Sequence, residues 1–203
     1  MAKIALIGAS GNAGSRILNE LSNRGHTTTG IARNPEKIAA LPGVTAKKGD
    51  VFDKDGLAAL IQGHDAVISS VHFLASDAET LIAAVRASGV KRYLVVGGAG
   101  SLYVAPGKRL IETPEFPEIY KAEAQKGTDF LELLQTVNDL DWTFLSPSAL
   151  FIPGERTGKF RLGQDTLLAS DQGSSISFED FAIALVDEIE NPAHVKQRFT
   201  VGY

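Results

Sequence analysis

Cysteine is missing from this 203-residue chain, and methionine and tryptophan occur once each. Without cysteine there can be no disulfide framework, no thiolate nucleophile and no cysteine-ligated zinc. The four histidines, His26, His64, His72 and His194, are dispersed and show no metal-ligand spacing, so no metal is expected. No apolar run approaches the length of a membrane span, and no Gly-x-Ser-x-Gly nucleophile elbow occurs. The formal charge is only −4, with lysines and arginines scattered rather than striped. That balance argues against a nucleic-acid or anionic-membrane partner. The opening Met-Ala-Lys-Ile runs into an apolar strand rather than a signal peptide, so a cytoplasmic protein is expected.

What is present is apolar content enough, at 44%, to bury one core, and residues 1–203 read as a single domain without repeats or linkers. The most informative segment is Gly8-Ala9-Ser10-Gly11-Asn12-Ala13-Gly14, placed directly after the apolar run Lys3–Ile7. Gly8 would let the chain turn off a strand, Gly11 would leave room for a pyrophosphate, and Gly14 would let a helix pack against the sheet. The helix start then offers free N–H groups to phosphate. Spaced glycines alone are weak evidence, since an ordinary strand-to-helix turn also uses them. Here a helix pattern from Ser15 to Leu21 and a second strand, His26–Ala32, complete the βαβ context that the motif requires.

Strands at 44–48, 66–70 and 92–97 alternate with helix patterns at 54–61 and 77–88. A long helix pattern over about 119–140 precedes a sixth strand, 142–145, ending at Ser146-Pro147-Ser148. This alternation predicts an α/β fold, a Rossmann-like doubly wound parallel sheet. Past Ser148, the runs Phe160-Arg161-Leu162 and Thr166-Leu167-Leu168 suggest a hairpin-like C-terminal lid over the ligand mouth. Ser177 is placed to cap a helix over 181–189, and Phe199–Val201 reads as a final strand.

In such folds an acidic residue at the end of the second strand holds the adenosine ribose of NAD; here Arg33 occupies that place. Its planar fork suits a 2′-phosphate, so NADP(H) is expected in preference to NAD(H). Lys37 is a weaker second cation. Asp50, followed by Val51, could accept from the adenine amino group, or cap its own turn. Ser10, Asn12 and Ala13 complete the phosphate loop. Ser69, Ser70 and Val71, Gly97 and Gly98, and Pro147 stand at the ends of strands four, five and six, where the nicotinamide half must lie. Phe73, Leu102, Tyr103 and Phe151 are candidates for an apolar shelf under a substrate.

Together with Ala32-Arg33, Gly49-Asp50-Val51, the run Val96 to Ser101, and Asp141-Trp142-Thr143, the glycine loop resembles the atypical short-chain dehydrogenase/reductases. The chain is most similar to their NAD(P)H-binding, NmrA-like branch, which holds proteins akin to biliverdin reductase B (flavin reductase), bacterial NADH-flavin reductases and also redox sensors. Short-chain dehydrogenases use Tyr-x-x-x-Lys with a serine near the fifth strand. Here Tyr120 is present but position 124 is alanine, and Lys121 and Lys126 have the wrong spacing. Hydride transfer to a flavin or quinone gives a delocalised anion that can take its proton from water, which fits the missing lysine. Ser101 is the first candidate to hydrogen-bond the acceptor and Tyr120 the second. His72 could donate a proton near neutral pH, although an isolated histidine is more often solvated. The resemblance therefore implies an NADPH-dependent reductase of a flavin, quinone or similar planar acceptor, acting as a monomer or dimer. A non-catalytic NADP(H) sensor is the rival reading, and a nucleotide-sugar epimerase or dehydratase a more distant one.

Overall fold

The computed structural model describes Met1–Tyr203. In chain order the elements are β1 (Lys3–Ile7), α1 (Asn12–Asn23), β2 (Thr27–Ala32), β3 (Val44–Lys48), α2 (Lys54–Ile61), β4 (Ala66–Ser69), α3 (Ala78–Ser88) and β5 (Arg92–Val96). Two short strands follow, β6 (Tyr103–Ala105) and β7 (Lys108–Arg109), then α4 (Glu118–Gln135), β8 (Asp141–Pro147), β9 (Leu150–Ile152), β10 (Arg161–Gly163), β11 (Ser175–Ser177), α5 (Phe178–Glu190) and β12 (Gln197–Gly202).

The main sheet has eight strands in the order β10-β12-β8-β5-β4-β1-β2-β3, all parallel except β10. The order reverses between β1 and β4. That reversal opens a crevice at the strands' C-terminal ends, where ligands of such sheets bind. Strand residues alternate between two apolar layers. Ile4, Leu6, Leu145 and Phe199 meet α1 and α5 on one face; Ala5, Ile7, Tyr93 and Phe144 meet α2, α3 and α4 on the other. No helix is long and apolar enough to cross a membrane.

Three expectations about elements need correction. The first helix starts at Asn12, not Ser15, because Gly11 already serves as its N-cap. The long helix ends at Gln135. Thr136 turns its hydroxyl onto the carbonyl of Leu133, and the segment 136–140 leaves the helix while still burying Val137 and Leu140. The runs 160–162 and 166–168 do not pair with each other as a hairpin lid. Arg161–Gly163 adds antiparallel to β12 at the sheet edge, and Thr166 bridges to Tyr103. The segment before it is tied down by Asp180, a fully buried carboxylate that accepts from Thr157 N (2.8 Å), Gly158 N (2.9 Å) and the Tyr203 hydroxyl (2.8 Å).

Candidate functional site

The crevice above β1, β4 and β5 forms a cleft of about 600 Å³. Its floor begins at the glycine loop. Gly8 has a φ of 83°, and a Cβ there would strike the carbonyl of Ser70, so the chain can leave β1 this close to β4 only without a side chain. A Cβ on Gly14 would strike the carbonyl of Gly8, which fixes the start of α1 against the loop. Gly11 differs: its Cβ would meet the Gly8 carbonyl at 3.3 Å and the Ser70 carbonyl at 4.0 Å, with nothing else within 4 Å.

The N-terminus of α1 has no side-chain cap and no acidic residue in its first turn. The N–H groups that begin a helix lack intrahelical partners, and together with the helix dipole they favour an anion. Ser10, Gly11, Asn12 and Ala13 line the cleft at this point. A pyrophosphate therefore fits the cradle that the missing Cβ leaves. At the adjoining end of β2, Arg33 lines the cleft, is exposed, and has no hydrogen-bond or ion-pair partner within the protein. Gly49 and Val51 line the same end. Asp50 does not: its Oδ1 accepts from the backbone N–H of Phe52 at 2.9 Å, capping its own turn.

Toward the other end, Ser70 and Val71 after β4, Gly97 and Gly98 after β5, and Pro147 ending β8 all line the cleft. Ser69 faces away, sharing a 2.9 Å hydrogen bond with the Tyr93 hydroxyl inside the core. Complete burial pushes that phenol's pKa up, so the pair stays neutral. The wall beyond is aromatic. Phe151 lies with its ring centroid 4.5 Å from Phe178, edge to face, and the Arg16 guanidinium sits over Phe178 at 5.7 Å. Phe73 packs edge to face on Phe130 and in parallel on Phe144, seated in a notch where a Cβ on Gly127 would come within 2.7 Å of it.

Tyr120 lines the cleft from the first turn of α4 and is 60% exposed. Four residues later, Ala124 stands where the tyrosine–lysine pattern would place a lysine, and it lies against the loop after β5: a Cβ built on Gly100 would come within 2.9 Å of its own. One turn from Tyr120, Glu123 enters the cleft wall instead; its carboxylate accepts from Phe73 N at 2.7 Å and Leu74 N at 2.9 Å.

Several expected site residues lie elsewhere. Ser101 is 4% exposed and does not line the cleft; its Oγ accepts from Arg198 Nη1 at 3.1 Å. Leu102 is fully buried in the core. Tyr103 lies in a separate shallow depression formed by the β6–β7 turn and Thr166. Gly14 supports the loop from behind. Cleft residues that the sequence reading missed include Ala75, Glu123, Ala149 and Phe178. Glu123 was discoverable from its three-residue offset to Tyr120 on a helix. Phe178 carried no signal beyond following a capping serine.

The family profile described as NAD(P)H-binding matches residues 8–192. Three solved structures share this chain's full length. A Burkholderia pseudomallei protein provisionally named as exported is 48% identical, with a TM-score of 0.91 over 100% of both chains. A Bacteroides thetaiotaomicron protein provisionally named an epimerase is 43% identical, with a TM-score of 0.95 over 100% of this chain and 97% of its own. A Streptococcus pneumoniae protein provisionally named an NADH-flavin reductase is 40% identical, with a TM-score of 0.82 over 100% of this chain and 99% of its own.

Proposed function

The chain belongs to the NAD(P)H-binding family, and on that premise we propose that it is an NADPH-dependent reductase of a flavin, quinone or similar planar acceptor. The observation that carries this reading is the uncapped, acid-free start of α1, framed by Gly8 and Gly11, with an unpaired Arg33 at the adenosine end of the same cleft. When bound, the reduced nicotinamide supplies the hydride.

The work of the chain is to bind and orient. The first-turn N–H groups of α1 hold the pyrophosphate, and Arg33 pairs with the 2′-phosphate, which an acidic residue in its place would repel. Gly97 and Gly98 give the ring end close backbone approach. The aromatic wall of Phe73, Phe151 and Phe178 offers flat apolar surface that excludes water and holds a planar acceptor against the cofactor. The provisional flavin-reductase name of the pneumococcal relative supports the same acceptor class.

A non-catalytic NADP(H) sensor is favoured by one observation: Tyr120 stands in the cleft with alanine, not lysine, four residues later. The test is calorimetric titration with NADPH, NADP⁺ and NADH, alongside NADPH oxidation with FMN and a series of quinones. Saturable turnover with NADPH preference supports the reductase. Tight binding with no turnover of any acceptor supports the sensor.

A further inference from the structure

The wall of the cleft carries one ionisable pair, His72 and Glu123, to which the proposed cofactor contacts give no role. His72, three residues past the end of β4, lines the cleft. Its side chain is 87% exposed and its Nδ1 lies 3.3 Å from Glu123 Oε1, its one ionic partner in the protein. Glu123 is itself held, since both its oxygens accept backbone N–H groups, from Phe73 and Leu74. The turn that carries His72 is thus anchored twice onto α4, by this carboxylate and by the Phe73 ring in the Gly127 notch. Tyr120 stands one turn before Glu123 on the same helix.

We propose that His72, paired with Glu123, is the proton donor to an oxygen of the acceptor, and that the acceptor is accordingly a quinone or conjugated carbonyl. This rests on the reductase reading above. A flavin can spread its new charge over the ring and wait for water; an oxygen that becomes an oxyanion gains from a placed acid. The Glu123 carboxylate beside Nδ1 leaves Nε2 as the ring nitrogen open to a substrate, and such contacts commonly tighten only in the reacting complex. The step balances. A quinone takes a hydride, with its electron pair, from the reduced cofactor, which is thereby oxidised. The Nε2–H bond of the imidazolium breaks as the quinone O–H bond forms, leaving hydroquinone and a neutral imidazole whose remaining proton sits on Nδ1 toward Glu123. Solvent then reprotonates Nε2.

The experiment uses purified protein with saturating NADPH and menadione. His72→Ala is expected to lower kcat for menadione about 100-fold, to lower that for FMN less, and to leave the calorimetric NADPH affinity unchanged, with added imidazole restoring menadione turnover. A readout free of turnover comes from ¹⁵N spectra of the histidine rings without nucleotide. Neutral His72 should carry its proton on Nδ1, and Glu123→Gln should shift it toward Nε2. Wild-type menadione turnover in His72→Ala would overturn the proposal while leaving the reductase intact. So would a loss that imidazole cannot restore and that accompanies loss of NADPH binding, or an Nε2 proton in the wild type. If the wild type turns over no acceptor while the spectra are as expected, the reductase reading itself falls and takes this role with it.

Discussion

The guanidinium of Arg198 donates to Ser101 Oγ at 3.1 Å, behind β8 and out of solvent. The same side chain pairs through Nε with Asp165 at 2.8 Å and reaches Ser146 Oγ at 3.4 Å. The serine after the fifth strand thereby joins the β5 loop to β12. Ser101→Ala should cost about 1 kcal/mol of stability and leave NADPH affinity nearly unchanged. Arg198→Met, which strands both serine hydroxyls, should cost about 2 kcal/mol. Urea denaturation of the two variants checks both figures.

Gly11 and Gly14 separate binding from folding. A Cβ on Gly11 meets the Gly8 carbonyl at a tight but tolerable 3.3 Å, whereas one on Gly14 would overlap it at 2.0 Å. Gly11→Val should fold normally yet lose NADPH and NADH alike. Gly14→Val should lose stability first, by several kcal/mol if the loop cannot shift. Calorimetry and thermal unfolding on both variants distinguish the effects.

Arg33 has no partner in the protein, so replacing it removes no internal contact. Arg33→Ala should weaken NADPH by about 2 kcal/mol, roughly 30-fold, as a charge-assisted hydrogen bond is lost. NADH affinity should change little. Equal losses for both nucleotides would refute the 2′-phosphate assignment.

Acid sensitivity should trace partly to Glu20 on α1. Hydrogen bonds from Arg156, both at 2.8 Å, and then from Arg24 hold its carboxyl below the ordinary range against the opposing effect of burial. A carboxylate with a depressed folded pKa contributes stability that is present above its unfolded pKa, near 4.5, and is lost as pH falls through the folded value. Glu20→Gln should therefore be less stable than the parent at pH 7, by about 2 kcal/mol, and should show a flatter loss of stability below pH 4.5. Denaturant midpoints measured across that range check the slope.

Much of the fold was legible because its signals are local. The apolar runs at 3–7, 66–69 and 92–96 are short, mostly buried and punctuated by helix patterns, and periodicity finds such elements. The glycine loop was legible because its steric demands are carried by residue type. The rest depended on long-range contacts that no window of sequence contains. Ser101 looked like a catalytic hydroxyl until Arg198, 97 residues later, took its oxygen. The strand Arg161–Gly163 was misplaced because its partner is β12 at the end of the chain rather than its neighbour. Glu123 was overlooked because its contacts with the backbone of Phe73 and Leu74, far earlier in the chain, are invisible in the spacing alone.

The central claim is that this cleft moves a hydride rather than merely holding the nucleotide. Rapid mixing of the protein–NADPH complex with menadione or FMN, following loss of the dihydronicotinamide absorbance without oxygen, tests it most directly. The account predicts protein-dependent oxidation that saturates with acceptor and slows when C4 of the cofactor carries deuterium. Oxidation no faster than in the protein-free control, with NADPH binding intact by calorimetry, would contradict it.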